Sequence, residues 1–197
     1  QETLLPPNLN PGVGDIGIML PYTPLHHLLF KNKNCPRALI MTSGNSSGAP
    51  ICIANDDAIE KLGTIADYFL LHNRDIVTRV DDSVIKFMSG EPRTLRRARG
   101  YVPTPIRVPY ELPEIIGCGG GLKSTFSLAR GTSIFPSQHI GDLFNLSSFE
   151  FYSESVSNLK KVFRIEPAAV ACDMHPDYLS SRYADELGLP TYRIQHH

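Results

Sequence analysis

The sequence has almost no excess of charge of either sign and no long apolar run. Its 197 residues carry 19 Lys and Arg against 20 Asp and Glu, and this balance argues against both a general nucleic-acid binder and a disordered chain. No stretch approaches the ~18 consecutive apolar residues of a membrane span, and the first residues lack the basic start and apolar run of a signal peptide. The four cysteines form no C-x-x-C pair, so neither a zinc ribbon nor a disulfide scaffold is indicated. We therefore expect a soluble cytoplasmic protein whose partners include neither a membrane nor a nucleic acid.

The ends of the chain and a proline-rich stretch predict the domain organisation. The sequence lacks an initiating Met and stops just after a strand-like run, so we expect it to be a piece of a larger protein. Four prolines between residues 103 and 113 favour an extended connection and prevent a regular helix. The sequence thus predicts one domain over residues 1–109, a linker over 110–114 and a second domain over 115–197.

Apolar runs and capping residues predict an α/β chain. Thr23 with Pro24 favours the start of a short helix, and Ser147 with Glu150 favours a capping box that starts a longer one. Gly131 predicts the turn of a β-hairpin. Strands are predicted at residues 38–41, 68–71, 84–88, 93–100 and 168–172. The strand–helix–strand order at the end of the chain implies parallel pairing.

A small polar loop, TSGNSSG at residues 42–48, follows the first of these strands. Small residues let the backbone approach a ligand, while the hydroxyl of Ser43 and the amide of Asn45 supply hydrogen bonds suited to phosphate oxygens. An ordinary polar turn has the same composition. The position of the loop at the end of a strand, where α/β sheets bind ligands, favours a binding site.

Basic residues cluster downstream at Arg93, Arg96, Arg97 and Arg99. Guanidinium groups bind phosphate in a fork geometry, but an edge strand protected by charge would carry the same residues. The acidic stretch at residues 81–83 is compatible with a metal or hydroxyl site and equally with a plain turn.

A glycine cluster opens the predicted second domain. The segment GCGGGLKS at residues 117–124 nearly spells a P-loop, but Leu122 stands where glycine must precede Lys123. The alternative is a glycine-rich hairpin under a nucleotide phosphate, with Lys123 or Thr125 contributing. For the isolated His139 a structural or capping role is favoured. The terminal pair His196–His197 is a weak metal signal, because adjacent residues of a strand face opposite ways.

Five further segments occur in a fixed order along nearly the whole chain. They are LPYTPLHHL at residues 20–28, MTSGN at 41–45, RRARGYVP at 96–103, SQHIGDL at 137–143 and DMHPDY at 173–178. Together they resemble the HypF family of hydrogenase-maturation carbamoyltransferases. The resemblance implies an α/β (α+β) fold: the C-terminal part of a YrdC-like twisted sheet up to about residue 109, and the start of an actin-like ATPase-fold domain from about residue 115.

The resemblance also implies a reaction sequence. A family member hydrolyses carbamoyl phosphate and joins the carbamate to ATP, supplied with Mg²⁺, to give carbamoyl-adenylate and pyrophosphate. It then transfers the carbamoyl group to the C-terminal cysteine of its partner HypE, on the way to the cyanide ligands of the [NiFe]-hydrogenase iron. A divalent metal, Zn or Fe, is implied in the transferase domain.

Site residues follow from the resemblance position by position. Ser43 and Asn45 are expected to hold nucleotide phosphates, and Ser83, Arg96 and Arg99 are further expected contacts of the nucleotide or the adenylate. Lys123 and Thr125 fall on the phosphate-binding hairpin of actin-like folds, although the usual leading Asp is absent. His196 matches the first metal ligand of a His-rich motif. The catalytic residues are expected on chain not present here, so the isolated chain should show little or no turnover.

Two other functions compete with this interpretation. A threonylcarbamoyl-adenylate synthase of tRNA modification shares the Ser-x-Asn element but would not be expected to carry the second half of the chain. An RNA-binding module could use the basic strip, but no aromatic platform accompanies that strip.

Overall fold

The computed structural model describes residue 6 and residues 8–196, which divide into one compact unit up to Thr42 and another from Ser43 onward. The first unit contains helix α1 (Pro24–Lys31). The Thr23 hydroxyl accepts a hydrogen bond from the His26 N–H at 3.1 Å, which confirms the predicted helix start. The strand predicted at residues 38–41 is wrong: these residues pair with no described strand, and Ile40 is 70% exposed.

The second unit begins with helix α2 (Asn55–Leu62) and a two-stranded ribbon. Strands β1 (Val84–Met88) and β2 (Glu91–Arg96) pair antiparallel. The basic strand predicted at residues 93–100 is therefore confirmed only as far as Arg96. The strand predicted at residues 68–71 is wrong, since that segment forms no described ladder and the Tyr68 side chain is almost fully exposed.

A four-stranded mixed sheet carries the rest of the second unit. Its strands are β3 (Ile106–Gly117), β4 (Ser127–Pro136), β5 (Ala169–Asp173) and β6 (Thr191–Ile194), in the order β4-β3-β5-β6. Strand β3 pairs antiparallel with β4 and parallel with β5, and β5 pairs parallel with β6. Helix α3 (Leu146–Phe163) leads from β4 to β5, and helix α4 (Leu179–Glu186) leads from β5 to β6. The predicted α/β class and the parallel pairing are confirmed.

Strands β3 and β4 correct two expectations. β4 continues through Gly131, where a turn was predicted. Gly131 pairs with Leu112 of β3, and the register between the strands shifts on both sides of this pair. The positive φ of Gly131, +59°, therefore belongs to a bulge. β3 runs through residues 110–114, so the predicted linker is extended but forms part of the sheet. Pro109 and Pro113 fall where the register is irregular, which is where a strand tolerates a residue without an N–H. The domain limits at residues 109 and 115 stay predictions.

Helix α3 covers the core of the second unit. Its cap is Asn145, whose side chain accepts the Ser148 N–H at 2.9 Å, and Ser148 Oγ accepts the Asn145 N–H in return. The capping box predicted at Ser147 and Glu150 thus lies two residues earlier in the chain. Tyr152 and Val156 on the buried side of α3 belong to the same core cluster as Ile116, Phe126, Leu128 and Val170. In the described part of the chain, no helix is long and apolar enough to cross a membrane.

Two cysteines serve as packing residues in this core. Cys118 and Cys172 are almost completely buried, and all four cysteines are free thiols. Burial raises the pKa of Cys118 to about 12 and also raises the pKa of Cys172. Both thiols therefore stay protonated at neutral pH and behave as small apolar groups.

Candidate functional site

One cavity of about 380 Å³ brings together four separate segments of the second unit. These segments are the loop that begins at Ser43, the residues before β1, the end of β2 and the stretch that runs from the end of β4 into the first turns of α3. The lining residues are Ser43, Asn45, Gly48, Ala49, Pro50, Ile51, Arg79, Asp81, Arg96, His139, Ile140, Gly141, Asp142, Phe144, Ser148 and Phe151. We call this cavity the Ser43 pocket. It contains three of the predicted site residues: Ser43, Asn45 and Arg96.

Asn45 holds the shape of the loop that forms one wall of the Ser43 pocket. Its Nδ2 donates to the carbonyl of Ala49 at 2.9 Å, and its Oδ1 accepts the Ser43 hydroxyl at 2.5 Å. The Cys52 N–H donates to the carbonyl of Gly44 at 2.9 Å and closes the loop. The amide of Asn45 therefore positions the Ser43 hydroxyl, which stays exposed at the pocket wall.

Arg96 presents a guanidinium to the same pocket from the end of β2. Its Nε donates to the carbonyl of Asp82 at 2.8 Å, and its Nη1 lies 4.0 Å from Asp81 Oδ2. The Nε contact fixes the plane of the guanidinium, whose fork of N–H donors matches phosphate oxygens. The Asp81 contact is long and the Arg96 side chain is 35% exposed, so this ion pair is weak.

Arg79 ties the loop to helix α3, and the sequence analysis did not identify it. Its Nε donates to the carbonyl of Ile51 at 3.0 Å, and its Nη1 lies 3.5 Å from Glu154 Oε2. The guanidinium carbon lies 5.5 Å from the centre of the Phe151 ring, within the range of a cation–π contact. Ile51 is 28 residues away from Arg79 in the chain, and Glu154 is 75 residues away. No local sequence pattern could therefore predict the role of Arg79.

The cap of helix α3 holds the loop at a second point. Asn145 Nδ2 donates to the carbonyl of Gly48 at 3.2 Å while its Oδ1 caps the helix. Gly48 has a φ of +74°, a conformation that glycine adopts without strain. The loop is thus fastened to helix α3 through both Gly48 and Ile51.

His139, between β4 and α3, contributes an imidazole to the lining of the Ser43 pocket. Its backbone N–H donates to the carbonyl of Arg97 at 3.2 Å, next to Arg96. Burial and then the positive charge of Arg96 lower the pKa of His139, although the carboxylates of Asp81 and Asp142 oppose this shift. The imidazole is therefore neutral at pH 7. The sequence favoured a structural role, whereas the structure puts the side chain in the cavity.

Lys123 and Thr125 lie in the loop between β3 and β4, outside the residues that line the Ser43 pocket. The Lys123 N–H donates to Asp142 Oδ1 at 2.6 Å, which places Lys123 beside the pocket. Thr125 is exposed. Their roles at a nucleotide stay predictions.

Ser83 and Arg99 form a contact with each other rather than with the pocket. The Ser83 hydroxyl donates to the carbonyl of Arg99 at 2.9 Å and accepts the Ala98 N–H at 2.8 Å. The Arg99 guanidinium donates to the carbonyl of Val80 and lies 3.3 Å from Asp82 Oδ1. These contacts join the start of β1 to the segment after β2, and the predicted ligand roles of both residues stay predictions.

A second cavity, of about 360 Å³, lies at the ends of β5 and β6 and is lined by Asp173, Met174, His175, Tyr178, Gln195 and His196. We call it the His196 cleft. Asp173 Oδ1 accepts the His175 N–H at 2.8 Å, and Oδ2 lies 2.9 Å from His196 Nδ1. The hydrogen bond from the His175 N–H is the main cause that lowers the pKa of Asp173; burial opposes it, and the nearby His196 ring lowers the pKa further. The carboxylate is therefore ionised at neutral pH and orients the His196 ring.

The described residues do not by themselves make a complete metal site. They contain no group of three histidine, cysteine or acidic side chains that could hold one ion. His197 lies outside the described residues. The prediction that His196 is a metal ligand stays a prediction.

The Ser43 pocket has the chemistry of a phosphate site. It combines a hydroxyl, a carboxamide, a neutral imidazole and the two guanidinium groups of Arg79 and Arg96, which together offer polar contacts and two positive charges. The carboxylates of Asp81 and Asp142 keep the local charge near balance. An anion with several oxygens can therefore be recognised here mainly by directional hydrogen bonds.

Two family models match the chain in succession. Residues 1–98 match a model described as Telomere recombination, which covers the Sua5, YciO and YrdC proteins. Residues 111–197 match a model described as HypF Kae1-like domain. The two matches leave only the residues around the start of β3 between them.

Relatives of known name extend this similarity over the whole chain. The chain is 42% identical over 198 residues to the Carbamoyltransferase HypF of Synechocystis sp., covering 100% of this chain and 26% of that protein. A crystal structure of HypF from T. kodakarensis superimposes with a TM-score of 0.90 at 40% identity, over 98% of this chain and 26% of the other. A crystal structure described as full-length HypF in the phosphate- and nucleotide-bound form gives a TM-score of 0.87 at 50% identity, over 92% of this chain and 29% of the other. The chain thus spans about a quarter of the length of the relatives it matches.

Proposed function

Because this chain belongs to the HypF family, we propose that it supplies the nucleotide pocket of a carbamoyltransferase that makes carbamoyl-adenylate from ATP. The supporting observation is that one cavity is lined by the three residues Ser43, Asn45 and Arg96, which the sequence led us to expect at a nucleotide. Arg96 is far from Ser43 and Asn45 in the chain, and the fold brings it to them. A similar protein has been crystallised with phosphate and a nucleotide bound, which supports the same ligand class here.

In the proposed reaction, hydrolysis of carbamoyl phosphate gives carbamate, and a carbamate oxygen attacks the α-phosphorus of ATP. The bond from the α-phosphorus to the bridging oxygen breaks, and pyrophosphate leaves with the electron pair. Asn45 keeps its Nδ2 bonds to the carbonyls of Ser46 and Ala49 and so holds the loop in shape. The Ser43 hydroxyl turns from Asn45 Oδ1 to donate to a phosphate oxygen, and Arg96 stabilises the negative charge that builds up on the phosphate. The Mg²⁺ that accompanies ATP would supply further charge neutralisation.

The proposal continues with transfer of the carbamoyl group to the C-terminal cysteine of HypE. The sulfur of the cysteine thiolate attacks the carbamoyl carbon, and AMP leaves, which gives a thiocarbamate for the cyanide ligands of the [NiFe]-hydrogenase iron. The match of residues 111–197 to the HypF Kae1-like domain supports this assignment over a tRNA-modifying adenylate synthase. We assign no step to the implied Zn or Fe, because the described residues do not complete its ligand set. A cytoplasmic location belongs to the same proposal and is supported by the four free thiols.

Release of pyrophosphate tests the proposal. In the intact protein that carries this sequence, Arg96→Lys keeps the charge but loses the planar fork, so we expect carbamoyl phosphate- and ATP-dependent pyrophosphate release to fall about a hundredfold. Arg93→Lys, an exposed residue of the same strand, is the matched control and should keep the parent rate. Equal rates for the two variants would contradict a role of Arg96 at the nucleotide.

A further inference from the structure

We propose that His139 contacts the phosphates of the nucleotide in the Ser43 pocket, so that the stretch between β4 and α3 supplies a ligand-binding residue of its own. This inference rests on the function proposed above and adds a residue to the same site. It assigns a binding role to a histidine for which the sequence favoured a structural one.

The geometry supports this role because the His139 side chain lines the same cavity as Ser43, Asn45 and Arg96. The backbone around His139 is held on both sides. The Ser137 hydroxyl, fully buried, accepts the Phe126 N–H at 3.0 Å, and the Ile140 N–H donates to the carbonyl of Ser124 at 2.9 Å. A ring carried on such a fixed segment is positioned before the ligand arrives.

The charges around His139 decide its protonation state. Arg96 and Lys123 disfavour the imidazolium, Asp81 and Asp142 favour it, and Arg79 is a further cation on the same cavity wall. Burial outweighs the carboxylates and lowers the pKa of His139, so the unliganded ring is neutral and carries one N–H. A phosphate group beside the ring adds negative charge, which favours the imidazolium. Nucleotide binding should therefore be accompanied by proton uptake at a pH of about 6.5, in the range where histidine titrates.

Calorimetric titration with ATP tests the inference in the intact protein. Titrations at pH 6.5 in two buffers of different ionisation enthalpy give both the dissociation constant and the number of protons taken up. The variants are His139→Gln, which can still form a hydrogen bond but cannot titrate, and His139→Phe, which does neither. The control is His72→Gln, since His72 is exposed and lies outside the Ser43 pocket.

We expect His139→Phe to bind ATP about tenfold more weakly, because a hydrogen bond to a charged oxygen is lost. His139→Gln should bind with an intermediate constant and take up fewer protons than the parent, while His72→Gln matches the parent in both. Free ATP contributes the same protons in every titration, so the difference in proton uptake reports on His139 and on the bound phosphate that it contacts. If the His139→Phe variant does not fold, which would be seen as loss of the cooperative urea transition, the inference is tested by the number of protons that the His139→Gln variant takes up.

The failures of the two proposals look different. If the parent binds ATP but both His139 variants bind it with the same constant and the same proton uptake, the inference about His139 is overturned and the proposed function stands. If the parent itself does not bind ATP, the proposed function fails, and the inference fails with it.

Discussion

Replacement of Arg79 by methionine should loosen the loop of the Ser43 pocket while leaving the four-stranded sheet folded. Arg79 lies outside that sheet and fastens the loop to helix α3 through Ile51, Phe151 and Glu154. Methionine keeps an unbranched apolar side chain, so the substitution removes the guanidinium contacts with a small change in packed volume.

The magnitude follows from the three contacts. A hydrogen bond from a charged donor such as Nε contributes about 1.5–3 kcal/mol, and the cation–π contact with Phe151 about 0.5–2 kcal/mol. The ion pair with Glu154 contributes about 0–1 kcal/mol, because the Glu154 side chain is 65% exposed. Since one group makes all three contacts, their energies do not add. We expect Arg79→Met to lower the free energy of unfolding by about 2 kcal/mol, and ATP binding to weaken by up to about thirtyfold if the loop must be ordered to bind.

The measurements are urea unfolding and equilibrium binding of ATP on the intact protein that carries this sequence. Glu154→Gln is the matched control, because it removes only the exposed ion pair and should change the free energy of unfolding by less than about 0.5 kcal/mol. Two results would refute the reasoning. One is an Arg79→Met variant with the parent urea midpoint and the parent affinity for ATP; the other is a Glu154→Gln variant that loses as much as Arg79→Met.

Two further predictions concern the cap of helix α3 and the His196 cleft. Asn145→Ala removes both the cap of α3 and the contact with Gly48, and should lower the free energy of unfolding by about 1–2 kcal/mol. Asn145→Ser restores the cap oxygen and should recover most of the urea midpoint. An unchanged urea midpoint for Asn145→Ala would contradict this prediction. The lowered pKa of Asp173 contributes stability that is complete above the ordinary value of about 3.9 and is lost as the pH falls through the folded value. The urea midpoint of Asp173→Asn should therefore lie below that of the parent at pH 7 and approach it in acid, whereas a pH-independent gap would contradict the linkage.

Local signals in the sequence predicted those elements whose cause is itself local. Thr23 and Pro24 set the start of α1 through a cap and a fixed φ, and neither depends on the rest of the chain. The apolar runs at residues 38–41 and 68–71 misled the prediction, because an apolar run becomes a strand only where another strand offers backbone partners. Gly131 was misinterpreted for a related reason: a positive φ fits a turn and a bulge equally, and only the neighbouring strand distinguishes them.

The Ser43 pocket shows the same limit. Residue type and position in the chain were enough to select Ser43, Asn45 and Arg96. Arg79 was not selected, because its role depends on contacts with Ile51 and with helix α3 that exist only in the folded chain. His139 stood within a segment that supported the family resemblance, yet its isolation from other histidines in the sequence favoured a structural role.

Strand β3 has a practical consequence for dissecting this protein into parts. It lies between β4 and β5, and it passes without interruption through the residues where the prolines suggested a natural joint. Expression of two halves divided at residues 110–114 would cut β3 in two. Ile106 and Arg107 would be separated from their partners in β4, while residues 115–117, which pair with both β4 and β5, would stay with the second half. Genetic fusions and truncations are better started ahead of Ile106, which keeps the whole strand on one polypeptide.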